Sequence, residues 1–209
     1  MGINEAFLEP LPNLETYVKE KSIMANIYMI SGPCGCGKST LTDAYAEYLV
    51  KVEKRTYVYV IHGDVFHQGF IGMYEKDAFC VELQETDPLA WTQVLKFNWE
   101  CIVDVAGKAL KRGLDVVIDY VVEDELPLLQ KLAKEYDAKL YYLVLTASEE
   151  AITKRLQSRG DDELIERGIF LKKKFDSLPE NQGHLYDNTE KTVEEEVAEL
   201  SKDMENFLV

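Results

Sequence analysis

The residues best suited to chemistry lie in one short glycine-rich segment. Residues 31–40 read Ser-Gly-Pro-Cys-Gly-Cys-Gly-Lys-Ser-Thr, and Gly32, Gly37, Lys38 and Ser39 complete the spacing Gly-x-x-x-x-Gly-Lys-Ser. Glycines let consecutive backbone N–H groups turn towards a phosphate, and a helix that begins there adds partial positive charge. At this spacing a lysine reaches the terminal phosphates and a serine hydroxyl binds Mg²⁺. The segment therefore predicts a P-loop that binds a nucleoside triphosphate with Mg²⁺.

The segments on either side of the loop support this interpretation. Residues 25–30 form an apolar run that suits a buried strand, and apolar residues recur at helical spacing from Leu41 to Leu49. The strand–loop–helix context separates a working P-loop from a chance match, for which an ordinary glycine-rich turn is the alternative. The predicted nucleotide contacts are the consecutive loop residues Gly32, Pro33, Cys34, Gly35, Cys36, Gly37, Lys38, Ser39 and Thr40.

The overall composition restricts the classes of function. The 209 residues are 46% hydrophobic and 29% charged, which suits one α/β domain with a sizeable core. The net charge of −15 opposes binding to nucleic acid and to anionic membranes, since both are polyanions. The first residues lack the pattern of a signal peptide, and no apolar run is long enough to span a bilayer. We therefore expect a cytoplasmic protein, a monomer or homodimer, whose partner is a small molecule.

From Met24 onward, segments with a strand pattern alternate with segments of helical periodicity. This alternation is typical of a parallel sheet built from βαβ units. The predicted strands are residues 25–31, 56–61, 115–120, 139–146 and 185–188. The predicted helices include 88–111, which ends before Gly113, 124–135, one that begins at Ser148, and a last one capped by Thr192 and Glu195. Residues 1–22 are predicted to form an arm outside the core, and residues 23–209 a single domain.

Because a P-loop occurs in several protein classes, other features must discriminate between them. The chain lacks the Asn-Lys-x-Asp motif of GTPases and the Leu-Ser-Gly-Gly-Gln signature of transporter ATPases. Three of its five arginines, Arg155, Arg159 and Arg167, lie in one stretch. Guanidinium groups on a mobile lid can neutralise a transferred phosphoryl group while water is excluded. We predict catalytic roles for Lys38, Arg159 and Arg167 and a nucleotide contact for Arg155, with ordinary surface arginines as the alternative.

Several segments together resemble the P-loop small-molecule kinases, a group that includes gluconate kinase, shikimate kinase and chloramphenicol phosphotransferase. These segments are Gly32–Thr40, His62–His67, Val116–Tyr120, the arginine-rich stretch and Tyr186–Thr189. The resemblance implies an ATP- and Mg²⁺-dependent phosphotransferase with a three-layer α/β/α P-loop fold. It also implies a five-stranded parallel sheet in the order 2-3-1-4-5, a lid at about residues 155–170, and an acceptor bound near the ends of strands two and three.

Two aspartates lie at the carboxyl ends of predicted strands, the edge where open α/β sheets bind their ligands. In the resembling kinases an aspartate at the position of Asp64 takes or orients the proton of the acceptor hydroxyl, so Asp64 is a predicted catalytic residue; a turn aspartate is the alternative. Asp119 ends a strand that resembles Walker B and, with Ser39, is predicted to bind Mg²⁺. Contact with the acceptor and a merely polar strand end stay open for Asp119. His62, His67 and Gln68 are candidates for acceptor hydrogen bonds, with structural hydrogen bonds as the alternative.

The segment predicted to face the acceptor carries no arginine. Residues 56–111 contain only lysines as basic side chains other than histidine, and several acids lie between them: Glu75, Asp77, Glu82, Glu85 and Asp87. Nucleoside monophosphate kinases normally hold the acceptor phosphate with arginine in this region, so we predict a neutral or cationic acceptor of nucleoside, sugar or antibiotic type. A nucleoside monophosphate kinase and a non-catalytic ATP-binding sensing module are the alternatives.

Overall fold

Strands and helices alternate along the chain as the sequence pattern predicts. The computed structural model of the protein describes residues 24–70 and 90–209. The strands are β1 (Asn26–Ser31), β2 (Val58–His62), β3 (Asp115–Asp119), β4 (Lys139–Thr146) and β5 (Leu185–Asp187). The helices are α1 (Lys38–Lys51), α2 (Asp64–Gln68), α3 (Trp91–Leu110), α4 (Leu126–Glu135), α5 (Glu149–Arg159), α6 (Ile165–Ser177) and α7 (Val193–Asp203). Short 3-10 turns occur at Asp162–Leu164, Pro179–Asn181 and Met204–Phe207.

The five strands form one parallel sheet in the order β2-β3-β1-β4-β5. The central strand β1 lies between β3 and β4, so that Tyr28 is opposite Val117 on one side and Tyr141 on the other. All five residues of β3 are buried, as expected for a parallel strand that is covered on both faces. The predicted strand order is confirmed.

Helices cover both faces of the sheet. Because successive side chains of a strand point to opposite faces, each strand contributes to two separate cores. Ile27 and Met29 pack into one core, and Tyr28 and Ile30 pack into the other. The helical residues that complete the first core include Ile102, Leu129 and Phe175, and those that complete the second include Leu41, Leu49 and Leu200. The predicted three-layer α/β/α architecture is therefore confirmed.

Most helix ends lie where the sequence predicts them. The Ser148 side chain accepts a hydrogen bond from the Ala151 N–H, and Thr192 and Glu195 form a reciprocal capping box. Gly113, just beyond α3, has a positive φ of 71°, which suits glycine after a helix. The strand β2 begins at Val58, two residues later than predicted.

The predicted lid is a short helical connection. Helix α5 ends at Arg159, the next residue Gly160 has a φ of 79° in the left-handed region, and α6 begins at Ile165. The predicted arm, residues 1–22, and the acids between residues 75 and 87 lie outside the described residues. In residues 24–70 and 90–209, no helix is both long and apolar enough to cross a membrane.

Candidate active site

The loop between β1 and α1 is shaped by close contacts at its glycines. Gly32 has φ 138°, and a Cβ at this position would lie 2.5 Å from the carbonyl oxygen of Leu145. Gly35 has φ 78°, and a Cβ there would lie 2.8 Å from Cγ of Leu156. Both positions therefore exclude other residues on steric grounds as well as by backbone conformation. The loop is wedged between the end of β4 and helix α5.

The first turn of α1 presents the residues predicted to hold phosphate. Helix α1 begins after Gly37, whose φ is 93°, and Ser39 and Thr40 lie exposed on its first turn. The ammonium group of Lys38 donates to the carbonyl oxygens of Gly32 and Pro33, both at 3.0 Å. The lysine thus reaches back over the concave side of the loop. Backbone N–H groups at a helix start, together with this cation, suit a bound polyphosphate.

Buried Asn188 holds the backbone of the P-loop through a hydrogen bond to Cys36, a contact that was not predicted from the sequence. Asn188 follows β5, and its Nδ2 donates to the carbonyl oxygen of Cys36 at 2.8 Å and to Glu196 Oε1 at 3.2 Å. Its Oδ1 accepts from Nη1 of Arg155 at 3.1 Å, while Nη2 of Arg155 donates to the Asn188 carbonyl oxygen at 2.8 Å. The available signal was a polar residue directly after the last strand, within the Tyr186–Thr189 segment.

Asp119 lies at the carboxyl end of β3, next to the end of β2. Its side chain is only 2% exposed, and its Oδ2 is 2.6 Å from Nδ1 of His62. The other ring nitrogen of His62 lies 3.3 Å from Oδ1 of Asp43, on helix α1. Burial raises the pKa of Asp119, although His62 and Lys38 oppose this effect. Burial works against the charged form of His62, but the hydrogen bond with Asp119 and the charges of Asp119 and Asp43 outweigh it and raise the pKa of His62.

Asp64 is exposed at the first position of the short helix α2, one residue beyond Gly63. The Gly63 N–H donates to the Asp119 carbonyl oxygen at 2.8 Å, which ties the start of α2 to the end of β3. In the described part of the chain, no hydrogen bond or ion pair engages the Asp64 carboxylate. Its charge nevertheless acts on Asp119 and on Lys38. The three predicted residues Lys38, Asp64 and Asp119 thus share one edge of the sheet.

The three clustered arginines reach three different places. Arg155 is held by the loop after β5, as described above. Arg159 donates to Asp161 Oδ2 from Nε at 2.9 Å and from Nη2 at 2.6 Å, and its side chain is 58% exposed. The guanidinium of Arg167 lies 5.6 Å from the ring centroid of Trp91, on helix α3, which the sequence predicts to face the acceptor. The structure therefore brings Arg155 and Arg167 to the site, and it pairs Arg159 with Asp161 instead.

A polar cluster lies beside Asp64, between α2, α3 and the residue after β3. Nδ2 of Asn98 is 2.6 Å from the hydroxyl of Tyr120 and 3.0 Å from Nδ1 of His67. Burial lowers the pKa of His67, against the charge of Asp64, which favours a neutral ring that accepts at Nδ1. Asn98 is fully buried, and its Oδ1 has no hydrogen-bond partner among the described residues. Asn98 and Tyr120 form the buried part of this polar cluster, and His67 connects it to α2.

The oxygen donors at this edge fit Mg²⁺. Ser39 offers a hydroxyl and Asp119 a carboxylate, the ligand types that Mg²⁺ takes when substrate phosphates and water complete its coordination. No group of three or more His, Cys, Asp or Glu side chains within residues 24–70 and 90–209 is arranged to hold a metal by itself. This donor set suits a cation that arrives with a nucleotide. Of the two cysteines of the loop, Cys36 is fully buried and Cys34 is half-buried.

Comparison with known proteins places the chain among P-loop proteins. A family model described as "AAA domain" matches residues 29–176. The guanylate kinase of Helicobacter pylori (strain ATCC 700392 / 26695) is 28% identical over 151 residues, which cover 69% of this chain and 70% of that protein.

Solved structures of kinases share the fold. A gluconokinase from Sinorhizobium meliloti 1021 aligns with a TM-score of 0.55 and 20% identity, over 89% of this chain and 97% of its own. The APS kinase of Mycobacterium tuberculosis, solved with AMPPNP and APS, aligns with a TM-score of 0.56 and 15% identity, over 87% and 98%. At these identities the likeness shows the P-loop kinase fold. P-loop kinases in general use ATP and Mg²⁺.

Proposed function

The chain belongs to the AAA domain family, and from this premise we propose that it transfers the γ-phosphate of Mg-ATP to a hydroxyl group of a small molecule. A nucleotide-dependent phosphotransferase activity is supported by the guanylate kinase relative and by the kinase folds of the structural neighbours. The acceptor class that we propose, a nucleoside, sugar or antibiotic type of molecule, goes further than those comparisons.

The observation that carries the proposal is that Lys38 lies at the same edge of the sheet as two carboxylates, Asp64 and Asp119, which differ in burial and in hydrogen bonding. Asp119 is buried and held by His62, whereas Asp64 is exposed and unengaged in the described part of the chain. A buried, oriented carboxylate suits a metal ligand, and an exposed one suits contact with a substrate hydroxyl. A protein that only binds ATP has no need of the second carboxylate at this place.

Each proposed step follows from the position of a side chain. Lys38 and the loop N–H groups hold the β- and γ-phosphates, and Asp64 orients the acceptor hydroxyl and takes its proton. The hydroxyl oxygen forms a bond to the γ-phosphorus while the bond from that phosphorus to the bridging oxygen breaks, and ADP leaves. Arg167, which contacts Trp91 and directly precedes Gly168 beside the Cys34 carbonyl oxygen, neutralises charge on the transferred group. Mg²⁺ on Ser39 and Asp119 neutralises phosphate charge when it is bound.

A nucleoside monophosphate kinase is the second candidate, and two observations favour it. One is the similarity to guanylate kinase. The other is Arg167, which lies outside residues 56–111 yet contacts Trp91 on the acceptor side. Residues 56–111 contain no arginine, but Arg167 from the predicted lid reaches the same region. The lack of arginine in residues 56–111 is therefore only a weak argument against an anionic acceptor. Among the described residues, no carboxylate forms an ion pair with Arg167.

The test is a metabolite screen for acceptor-dependent release of ADP from Mg-ATP, with nucleosides, sugars, aminoglycoside-type antibiotics and nucleoside monophosphates side by side. We expect at least one hydroxyl acceptor to raise ADP release. The Asp64→Asn variant should then bind ATP with unchanged affinity but lose transfer. Turnover with nucleoside monophosphates alone would select the second candidate. Tight ATP binding without turnover for any acceptor would select the sensing module.

A further inference from the structure

His62 links the two structural elements that hold the proposed metal ligands. We propose that His62 is a positioning residue that orients the Asp119 carboxylate towards the divalent cation of the bound nucleotide. The inference rests on the proposed function only in so far as the site binds a metal–nucleotide complex. From the sequence, His62 was a candidate for a hydrogen bond to the acceptor, whereas its contacts with Asp119 and Asp43 indicate a role at the metal ligand.

The backbone places the imidazole and the carboxylate side by side. His62 and Asp119 are register partners at the carboxyl ends of the neighbouring parallel strands β2 and β3. Nδ1 of His62 lies 2.6 Å from Oδ2 of Asp119. Within the described residues, the second oxygen of Asp119, Oδ1, receives no hydrogen bond. One carboxylate oxygen is therefore held by protein while the other is available to a cation.

The opposite edge of the imidazole is tied to the helix of the P-loop. Nε2 of His62 lies 3.3 Å from Oδ1 of Asp43. Asp43 is four residues after Ser39 on α1, so the two side chains lie on the same face of that helix, one turn apart. The imidazole thus connects the helix that carries the hydroxyl ligand with the strand end that carries the carboxylate ligand.

Partners of this kind affect metal affinity because they restrict the rotation of a ligand. A carboxylate with a free χ2 angle loses conformational freedom when it binds a cation, whereas one that is already hydrogen-bonded loses less. Removal of a hydrogen-bond partner of a metal ligand typically weakens metal affinity 10- to 100-fold. A merely structural ion pair would change the stability of the fold without a specific effect on the metal.

Two near-isosteric variants separate the two contacts of the ring. In His62→Asn the side-chain amide can replace the Nδ1 contact to Asp119 and cannot reach Asp43. In His62→Gln the amide can replace the Nε2 contact to Asp43 and leaves Asp119 without its partner. His62→Leu removes both contacts.

The experiment measures Mn²⁺ binding by electron paramagnetic resonance in the presence of ADP, together with ADP affinity in the presence of a chelator and the melting temperature. We expect His62→Leu and His62→Gln to bind Mn²⁺ 10- to 100-fold more weakly than the original protein, and His62→Asn to remain within about threefold. ADP affinity without metal should be equal in all four proteins.

Two results would overturn the positioning role: equal Mn²⁺ affinity in His62→Gln and the original protein, or an equal loss in His62→Asn and His62→Gln. If His62→Leu does not fold, the Asn and Gln pair still decides between these results. If the original protein shows no ADP-dependent Mn²⁺ binding, the proposed function itself fails.

Discussion

Strand β3 carries an aspartate at each end, and the two differ in how their oxygens are used. At the amino end, Asp115 is 2% exposed, and it accepts the Asn26 N–H at 2.7 Å and both Nε and Nη2 of Arg55. At the carboxyl end, Asp119 is equally buried, but among the described residues its side chain has one partner, His62, through one oxygen. Residue type, strand and burial are the same at both ends.

The difference is consistent with a structural role for Asp115 and with the proposed metal-binding role for Asp119. Both oxygens of Asp115 are engaged, and a bidentate pair with arginine stabilises its charge completely. Asp119 keeps an oxygen without a hydrogen bond from the described residues, in a buried place where an unpaired charge is unfavourable. A bound cation would give that oxygen a partner. We therefore expect the amino end of β3 to contribute to stability and the carboxyl end to contribute to the proposed metal site.

The largest effect is expected at the carboxyl end. Asp119→Asn should reduce phosphate transfer about 1000-fold, or about 4 kcal/mol, since the cation supplies several kcal/mol of charge stabilisation. Unfolding in urea should change little because asparagine has nearly the same shape. Steady-state kinetics with an acceptor from the screen, alongside urea titration, measures both. A variant that transfers phosphate at the original rate would remove Asp119 from the metal site.

The amino end should respond in the opposite way. Asp115→Asn leaves the largely buried guanidinium of Arg55 without its counter-charge, so we expect a loss of about 3 kcal/mol in the free energy of unfolding. The affinity for Mn²⁺ with ADP should be unchanged at temperatures where the variant is folded. Urea unfolding and the paramagnetic resonance titration test the two halves. Weakened metal–nucleotide binding in the folded variant would contradict the division between the two ends.

Gly63 follows β2 and donates its N–H to the Asp119 carbonyl oxygen at the end of β3, and a side chain at this position would clash with Tyr120. A Cβ at Gly63 would lie 2.5 Å from ring atoms of Tyr120, so Gly63→Ala should displace that ring and destabilise the protein by about 2 kcal/mol. Gly69→Ala, at the other end of α2, is the matched control, because its new methyl group would meet nothing closer than 3.4 Å. Melting temperatures of the two variants give the comparison. Equal melting temperatures would show that Tyr120 can move without loss.

The smallest effect is expected at the far contact of His62. The side chain of Asp43 is 66% exposed, and pairs of this kind contribute about 0–1 kcal/mol. Asp43→Asn should therefore change stability by less than about 0.5 kcal/mol and Mn²⁺ affinity by less than about threefold. A loss as large as that of His62→Gln would mean that Asp43, rather than the Asp119 contact, governs the metal site.

The fold was predictable because local patterns repeat along the chain. The apolar strand of residues 139–146, the cap at Ser148 and the capping box at Thr192 and Glu195 all lie where the sequence indicates. Each of these features depends on residues close together in sequence. The strand order needed more than local pattern, and it followed from the resemblance to P-loop kinases. The start of β2 was misplaced by two residues because the β-branched and aromatic residues there continue the strand pattern beyond the paired region.

The candidate site divides in the same way. The sequence by itself determined the P-loop, because Gly32, Gly37, Lys38 and Ser39 form one local motif whose spacing already specifies the geometry. Only the tertiary structure decided that the side chains of the three neighbouring arginines contact different parts of the molecule. It also decided that Asn188 donates a hydrogen bond to Cys36, 152 residues away, and that His62 pairs with Asp119, 57 residues away. These contacts depend on which strand ends meet at the sheet edge and on how the helices pack over it. Spacing along the chain does not reveal contacts between distant residues. The sequence therefore shows two aspartates in β3, but it does not show that their hydrogen-bond partners differ.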